Sequence, residues 1–142
     1  MIHEVEELNK EDYYLLGKEL NDNFIKMYNI DTVLMQNYNE IYGYFLDNKL
    51  IGFIHIIISF DEADIVNIIV NKDYRNLGIG SKLIDYCIEK HDLKALNLEV
   101  KENNPAVSFY EKKGFKIMRK IPNYYKDCDA YFMKKRIGDI NE

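Results

Sequence analysis

Between Asn67 and Lys90 the chain reads NIIVNKDYRNLGIGSKLIDYCIEK, and its residue types suit one task, the holding of phosphate. An apolar run, Ile68-Ile69-Val70, leads into Arg75-Asn76-Leu77-Gly78-Ile79-Gly80-Ser81, and a segment of helical periodicity follows. The first turn of a helix carries unpaired N–H groups and a partial positive charge. Glycine lets an anion come close to that backbone. Lys72, Arg75 and Lys82 add positive charge, and Ser81 adds a hydroxyl donor. GxG by itself also suits an ordinary tight turn. A dinucleotide fingerprint needs a third glycine in the first βα unit of a parallel sheet. Here Leu83 stands at that position and four strands come earlier, so the dinucleotide reading is set aside.

Other residues able to do chemistry lie further on. Ala95 to Lys101 alternates, with Leu96, Leu98 and Val100 on one side and Asn97, Glu99 and Lys101 on the other. Glu99 is thus a strand carboxylate on the polar side. Tyr110 sits beside Phe109 on a short amphipathic segment, where a core aromatic is the simplest role. Cys87 and Cys128 are far apart with no CxxC, and the histidines, His3, His55 and His91, are scattered. Free thiols and no metal site are expected.

The elements that would position these residues can be read in order. Ile2 to Leu8 alternates apolar and acidic residues as a first strand does, and an amphipathic helix starts near Asn9 or Lys10, with Tyr14, Leu15, Lys18, Phe24 and Ile25 on its pattern. Met27 to Asn39 has no firm period and reads as a helix or a loop. Tyr42 to Leu46 and Leu50 to Phe60 form a hairpin around Asp47-Asn48-Lys49, and Ala63 to Val70 is the next strand. A short helix follows Ala95 to Lys101, with Asn104 as N-cap, Pro105 in the first position and Gly114 as the stop. Phe115 to Arg119 and Ala130 to Arg136 are closing strands, with Ile121 to Asp127 as the loop between them.

The length of 142 residues suits a single domain spanning 1–142 with its own core. A net charge of −5 argues against a broad basic nucleic-acid surface and is compatible with a cationic substrate such as an amine. Neither a secretory nor a membrane segment is read, since the N-terminus is charged and Leu50 to Phe60 is too short to span a bilayer. The expected location is the cytoplasm.

Arg75-x-x-Gly78-x-Gly80 after a strand, followed by Asn-x-x-Ala-x-x-x-Tyr-Glu-Lys-x-Gly-Phe from Asn103 to Phe115, resembles the GCN5-related N-acetyltransferase (GNAT) family. The likeness covers roughly residues 40 to 136. Within the family it is most like the bacterial enzymes that acetylate the N-terminal residue of ribosomal protein S18. The shared stretches are Asp61-Glu62-Ala63 leading into Asn67-Ile68, Leu98 to Lys101, Tyr110 to Phe115, and Asn123-Tyr124-Tyr125. The resemblance implies an α/β fold with a mixed, mostly antiparallel sheet of about six or seven strands and about four helices. It also implies an acyltransferase that binds acetyl-CoA and passes the acetyl group directly to a primary amine.

By the same resemblance, the pyrophosphate rests on Arg75, Asn76, Leu77, Gly78, Ile79, Gly80 and Ser81. The pantetheine runs beside Ile68, Ile69 and Val70, near Ala106 and one of Asn103 or Asn104. Glu99 becomes the general base, directly or through a water, and Tyr110 the general acid. Tyr124 and Tyr125 fall near the acceptor, as cleft walls or as loop aromatics packed on the core. Two departures stand out. The segment between Glu99 and Tyr110 is about one residue short, and Phe24-Ile25-Lys26-Met27-Tyr28 replaces a Phe-x-x-Pro-Trp-type stretch.

Proton energetics bear on the acceptor. An α-amine titrates near 7.7–8.0 and lysine near 10.4, so deprotonating lysine costs about 3.4 kcal/mol more. That favours a protein N-terminus such as that of S18. A small-amine acetyltransferase (polyamine, aminoglycoside or amino acid) and a non-catalytic acyl-CoA-binding module are the alternatives. The protein is expected as a monomer or homodimer.

Overall fold

The hairpin that opens the central sheet is set by its turn. Asp47 and Asn48 both take left-handed backbone (φ 49° and 66°), the signature of a two-residue turn whose twist matches its strands. On either side run β2 (Asn39–Leu46) and β3 (Lys49–Ser59), and β4 (Glu62–Val70) extends the meander. The computed structural model describes residues 1–138, with Tyr125 described by its backbone alone.

The remaining elements are β1 (Ile2–Glu4), α1 (Lys10–Lys18), α2 (Phe24–Met27), α3 (Ile30–Met35), α4 (Ile79–His91), β5 (Ala95–Lys101), α5 (Ala106–Lys112), β6 (Lys116–Tyr125) and β7 (Cys128–Arg136). Seven strands form one sheet in the order β1-β2-β3-β4-β5-β7-β6. Every pair is antiparallel except β4–β5, which is parallel and joined only at Glu62–Asp64 against Ala95–Asn97. Beyond those three pairs the two strands diverge. This is the mixed, mostly antiparallel α/β architecture the resemblance implied. No helix among the described residues is long and apolar enough to cross a membrane.

Each sheet face carries its own core. On one face α4 and α5 bury Leu83, Ile84, Cys87 and Tyr110 against Ile54, Ile56, Leu96 and Leu98. On the other, α1 to α3 bury Tyr13, Leu16, Phe24, Ile30 and Val33 against Ile41, Phe45 and Phe53. β4 serves both faces through a bulge. His55 pairs with Asn67 but Ile56 pairs with Ile65, so β4 holds one extra residue there. The bulge shifts the alternation. Ala63 and Ile65 before it, and Ile68 and Val70 after it, all pack on the α4–α5 side, while Ile69 packs on the other. Asn67, two residues from Ile69, shares the α1–α3 face.

Three elements differ from the sequence reading. The first strand ends at Glu4, because Glu7–Asn9 turns into a 3₁₀ segment. The first helix stops at Lys18, and Phe24 begins a separate short helix. The buried face of α1 is Tyr13, Leu16 and Gly17, whereas Leu15 and Ile25 are exposed, so the buried stripe runs out of phase with the sequence pattern. Met27 to Asn39, read as a helix or a loop, does hold a helix, α3, started by the Asn29 side chain accepting from the N–H groups of Asp31 and Thr32. Finally, Ile121 to Tyr125 is strand rather than loop. β6 is an edge strand, where a proline such as Pro122 costs no ladder bond.

Gly17 is where α1 meets α2. A Cβ there would sit 2.2 Å from a ring carbon of Phe24, a side chain only 1% exposed. Alanine is the better helix former by about 1 kcal/mol, but the buried ring has nowhere to retreat. Gly17→Ala should therefore destabilise the fold by about 1–3 kcal/mol, read as a lower denaturation midpoint.

Candidate active site

Where β4 and β5 diverge, the outer edge of β4 from Ile68 to Val70 has no strand partner on the β5 side. A cavity of about 500 Å³ opens there. Its walls are Ile68, Ile69 and Val70 on one side and Ala106, Phe109 and Tyr110 of α5 on the other. At one end it meets the glycine turn and the N-terminus of α4.

That helix start is built to be left open. Gly78 is its N-cap, with φ +81° and no side chain to cap the first N–H groups. A left-handed cap position favours glycine, and nothing lies within 4 Å of where a Cβ would project. Gly78, Ile79, Gly80 and Ser81 all line the cavity, as do Asn76 and Arg75. The Arg75 side chain is held in place, its Nε donating to the Val70 carbonyl at 2.9 Å and its Nη2 lying 3.7 Å from Glu19, the residue that ends α1. The hollow thus joins an apolar slot with an unpaired backbone edge to a cationic, N–H-rich end. That combination fits an elongated ligand with an amide-bearing arm and a phosphate terminus.

Tyr110 closes the apolar end. It is 8% exposed and packs edge-on to Phe115 (centroids 5.6 Å apart) and Phe109 (5.3 Å). Phe115 is brought there by the helix stop, where Gly114 has φ +103° and the Phe115 N–H donates to the Tyr110 carbonyl at 2.9 Å. Burial pushes the Tyr110 hydroxyl up to about 12, so it keeps its proton throughout the neutral range.

Glu99 lies on the opposite face of β5 from the residues that pack with Tyr110, and is exposed. Its Oε1 accepts a hydrogen bond from the Tyr124 hydroxyl at 3.0 Å, across from β6. The carboxylate and the tyrosine hydroxyl of α5 therefore approach the strand divergence from different faces. A carboxyl side chain and a hydroxyl that holds its proton are the group types a two-proton transfer needs. Removing the Tyr124 hydroxyl takes away one charge-assisted bond in an exposed setting, worth about 1 kcal/mol. Tyr124→Phe should lower kcat/KM for an acceptor about fivefold without changing the affinity for a nucleotide ligand, measured by titration.

Of the residues singled out from sequence, Ile68, Ile69, Val70, Arg75, Asn76, Gly78, Ile79, Gly80, Ser81, Ala106 and Tyr110 line this one hollow. Leu77 does not, being 63% exposed on the outside of the turn. Asn104 caps α5, its Oδ1 accepting from the Ala106 N–H at 2.8 Å, and Asn103 lies 4.0 Å from the Cys128 sulfur. Neither asparagine lines the cavity. The Tyr125 side chain lies outside the described residues. Tyr74 and Phe109 line the hollow and were missed. Phe109 had a signal, since it stands three residues after Ala106 on the same helix face. Tyr74 had none.

Residues 37–117 match the model of the acetyltransferase (GNAT) domain. The ribosomal protein bS18-alanine N-acetyltransferase of Escherichia coli is 34% identical over 88 residues, covering 59% of this chain and 60% of that protein. The crystal structure of the ribosomal-protein-S18-alanine N-acetyltransferase from Escherichia coli superposes with a TM-score of 0.76 at 24% identity, covering 96% of this chain and 93% of that one. An acetyltransferase from Bacillus anthracis solved in complex with acetyl coenzyme A aligns at 31% identity and a TM-score of 0.66, covering 75% of this chain and 66% of that one. The matched segments span 47% to 66% of the length of the first curated relatives.

Proposed function

Because the chain belongs to the GCN5-related N-acetyltransferase (GNAT) family, we propose that it transfers the acetyl group of acetyl-CoA to a primary amine, the α-amine of a protein N-terminus such as that of ribosomal protein S18. One observation carries this reading. The unpaired edge of β4 runs from an uncapped, glycine-built helix start to a buried tyrosine that keeps its proton. Ile68 to Val70 and Ala106 would hold the pantetheine arm, and the turn from Arg75 to Ser81 the pyrophosphate. Leu77, Asn103 and Asn104 remain part of this assignment through the backbone turn and the start of α5. When bound, acetyl-CoA supplies an activated thioester acyl group.

The chain's own groups supply proton handling. Glu99, steadied by Tyr124, takes the proton of the incoming ammonium, and Tyr110 holds the proton destined for the departing thiolate. Tyr124 would wall the acceptor side. The acceptor preference rests on the acid–base gap of about 3.4 kcal/mol between an α-amine and lysine, and on the names of the relatives.

A second reading has its own observation. A hollow of about 280 Å³ lined by Asp61, Glu62, Asp64 and Asn97 lies on the strand face that bears Glu99, which favours an acceptor with a further cationic group, such as a polyamine. The assay is thiol release from acetyl-CoA with each acceptor. Turnover of an S18 N-terminal peptide supports the first reading, turnover of polyamine alone the second. Intact CoA binding with no turnover of any amine would favour a non-catalytic module. Glu99→Gln should lower turnover about 10- to 100-fold while CoA affinity stays unchanged, checked by steady-state kinetics beside calorimetry.

A further inference from the structure

At the β4 bulge, two polar side chains sit opposite each other, each with one buried atom that has no hydrogen-bond partner among the described residues. His55 of β3 pairs in register with Asn67 of β4. His55 is 2% exposed, and its Nε2 lies 2.7 Å from the Asn39 Oδ1. The Asn39 amide nitrogen donates to the Gln36 Oε1 at 2.7 Å and the Val33 carbonyl at 3.4 Å, so the Asn39 oxygen is the accepting end. Nε2 therefore carries the imidazole proton, and Nδ1 offers a lone pair. That Nδ1 is buried without a hydrogen-bond partner among the described residues, and so is the Asn67 Nδ2. One is an orphaned acceptor, the other an orphaned donor.

Cross-strand neighbours have Cβ atoms about 4.5–5.5 Å apart, so the two groups share one small volume. Each left dry gives up the hydration it has in the unfolded chain and gets no bond in return. A ligand that satisfies both must accept from an amide N–H and donate to an imidazole nitrogen at once. An ammonium group only donates, a carboxylate only accepts, and a metal ion would take the imidazole lone pair but be repelled by the amide N–H. Water does both, and the extra residue of the bulge is where a strand pair makes room for it. The position also matters. Asn67 is on the α1–α3 face, where the Tyr28 ring meets His55 edge-on at 5.8 Å, and the next residue of β4 begins the cavity wall.

The geometry points to a buried water held between the His55 Nδ1 and the Asn67 Nδ2, making these two residues positioning residues on the acceptor side of the site. The kinetic consequence rests on the acetyl-transfer reading; the water does not. A water bonded in this way keeps one lone pair and one hydrogen. It takes a proton from the amine nitrogen on its oxygen while its own remaining hydrogen passes to the Glu99 carboxylate, so water is regenerated and the charge moves from ammonium to carboxyl. Burial also keeps His55 neutral, which preserves Nδ1 as an acceptor.

The test has two arms. A high-resolution crystal structure of the wild-type chain should show one ordered water within about 3.2 Å of both atoms. A direct His55–Asn67 bond, or no solvent peak there, overturns the proposal. In kinetics, His55→Phe and Asn67→Leu should each lower kcat about 10- to 100-fold with the dissociation constant for CoA unchanged. The double variant should be no slower than the slower single one, because both remove the same water. His55→Asn, whose amide oxygen can stand near the Nδ1 position, should recover most of the loss. Additive losses, or a His55→Asn variant as slow as His55→Phe, overturn it. A wild-type protein that turns over no amine defeats the acetyl-transfer reading, and the crystallographic arm still decides the water.

Discussion

Tyr110→Phe should lower kcat by about 10² to 10⁴ while the dissociation constant for CoA changes less than twofold. The substitution removes one oxygen and leaves the ring. Its edge-on contacts to Phe109 and Phe115 are made by carbon atoms, so packing in the cavity wall survives. The expected loss corresponds to about 3–5 kcal/mol of transition-state stabilisation, far more than one neutral hydrogen bond contributes to binding. Burial pushes this hydroxyl up to about 12, so at neutral pH it holds a proton to donate, which is the role proposed for it. Steady-state kinetics with calorimetry for CoA separate the two effects. A kcat within a few-fold of wild type would remove Tyr110 from the proton path.

The second large effect is on stability. Burial holds the His55 imidazole down at about 4, against an ordinary value of 6.5. Its folded value lies below its unfolded value, so the unfolded chain takes up the proton first as pH falls. The neutral group's contribution is fully present above pH 6.5 and is lost between about 6.5 and 4. The difference of about 2.5 units amounts to about 3 kcal/mol, a factor of more than one hundred in the folding equilibrium. Denaturant midpoints measured from pH 7 to 4 should fall accordingly. His55→Asn should flatten that part of the curve, leaving the contributions of His91, which burial also lowers, and of the carboxylates. A wild-type curve as flat as that of the variant would contradict the assignment.

Much of the cofactor side was legible because single residues there carry unambiguous chemistry. Gly78 with φ +81°, Asn104 bonding the Ala106 N–H, and the strict alternation from Leu96 to Val100 all do what their types suggest. The acceptor side was harder. The bulge at Val66 is invisible in a run of β-branched residues, since Ile65, Val66, Ile68 and Ile69 suit either face of a strand. His55 looked scattered because its partners, Asn39 and Tyr28, come from segments 16 and 27 residues away and without a firm period. Pro122 suggested a loop, and only the position of β6 at the sheet edge removes that objection. Leu15 and Leu16 are equally apolar, and nothing local says that the second is buried and the first is not.

The divergence of β4 and β5 has a consequence for how the chain folds. Residues 2–70 hold the whole of β1 to β4, and residues 95–136 the whole of β5 to β7, each joined by antiparallel pairing. Among the described residues, all strand pairing between these two stretches passes through three parallel pairs at Glu62–Asp64. The sheet is therefore two sequence-local units, and most of its loops close cheaply before one distant contact unites them. A ligand lying along the open edge of β4 would add a bridge just where the chain itself makes the fewest. Occupancy would then tie the two folding units into a more cooperative whole.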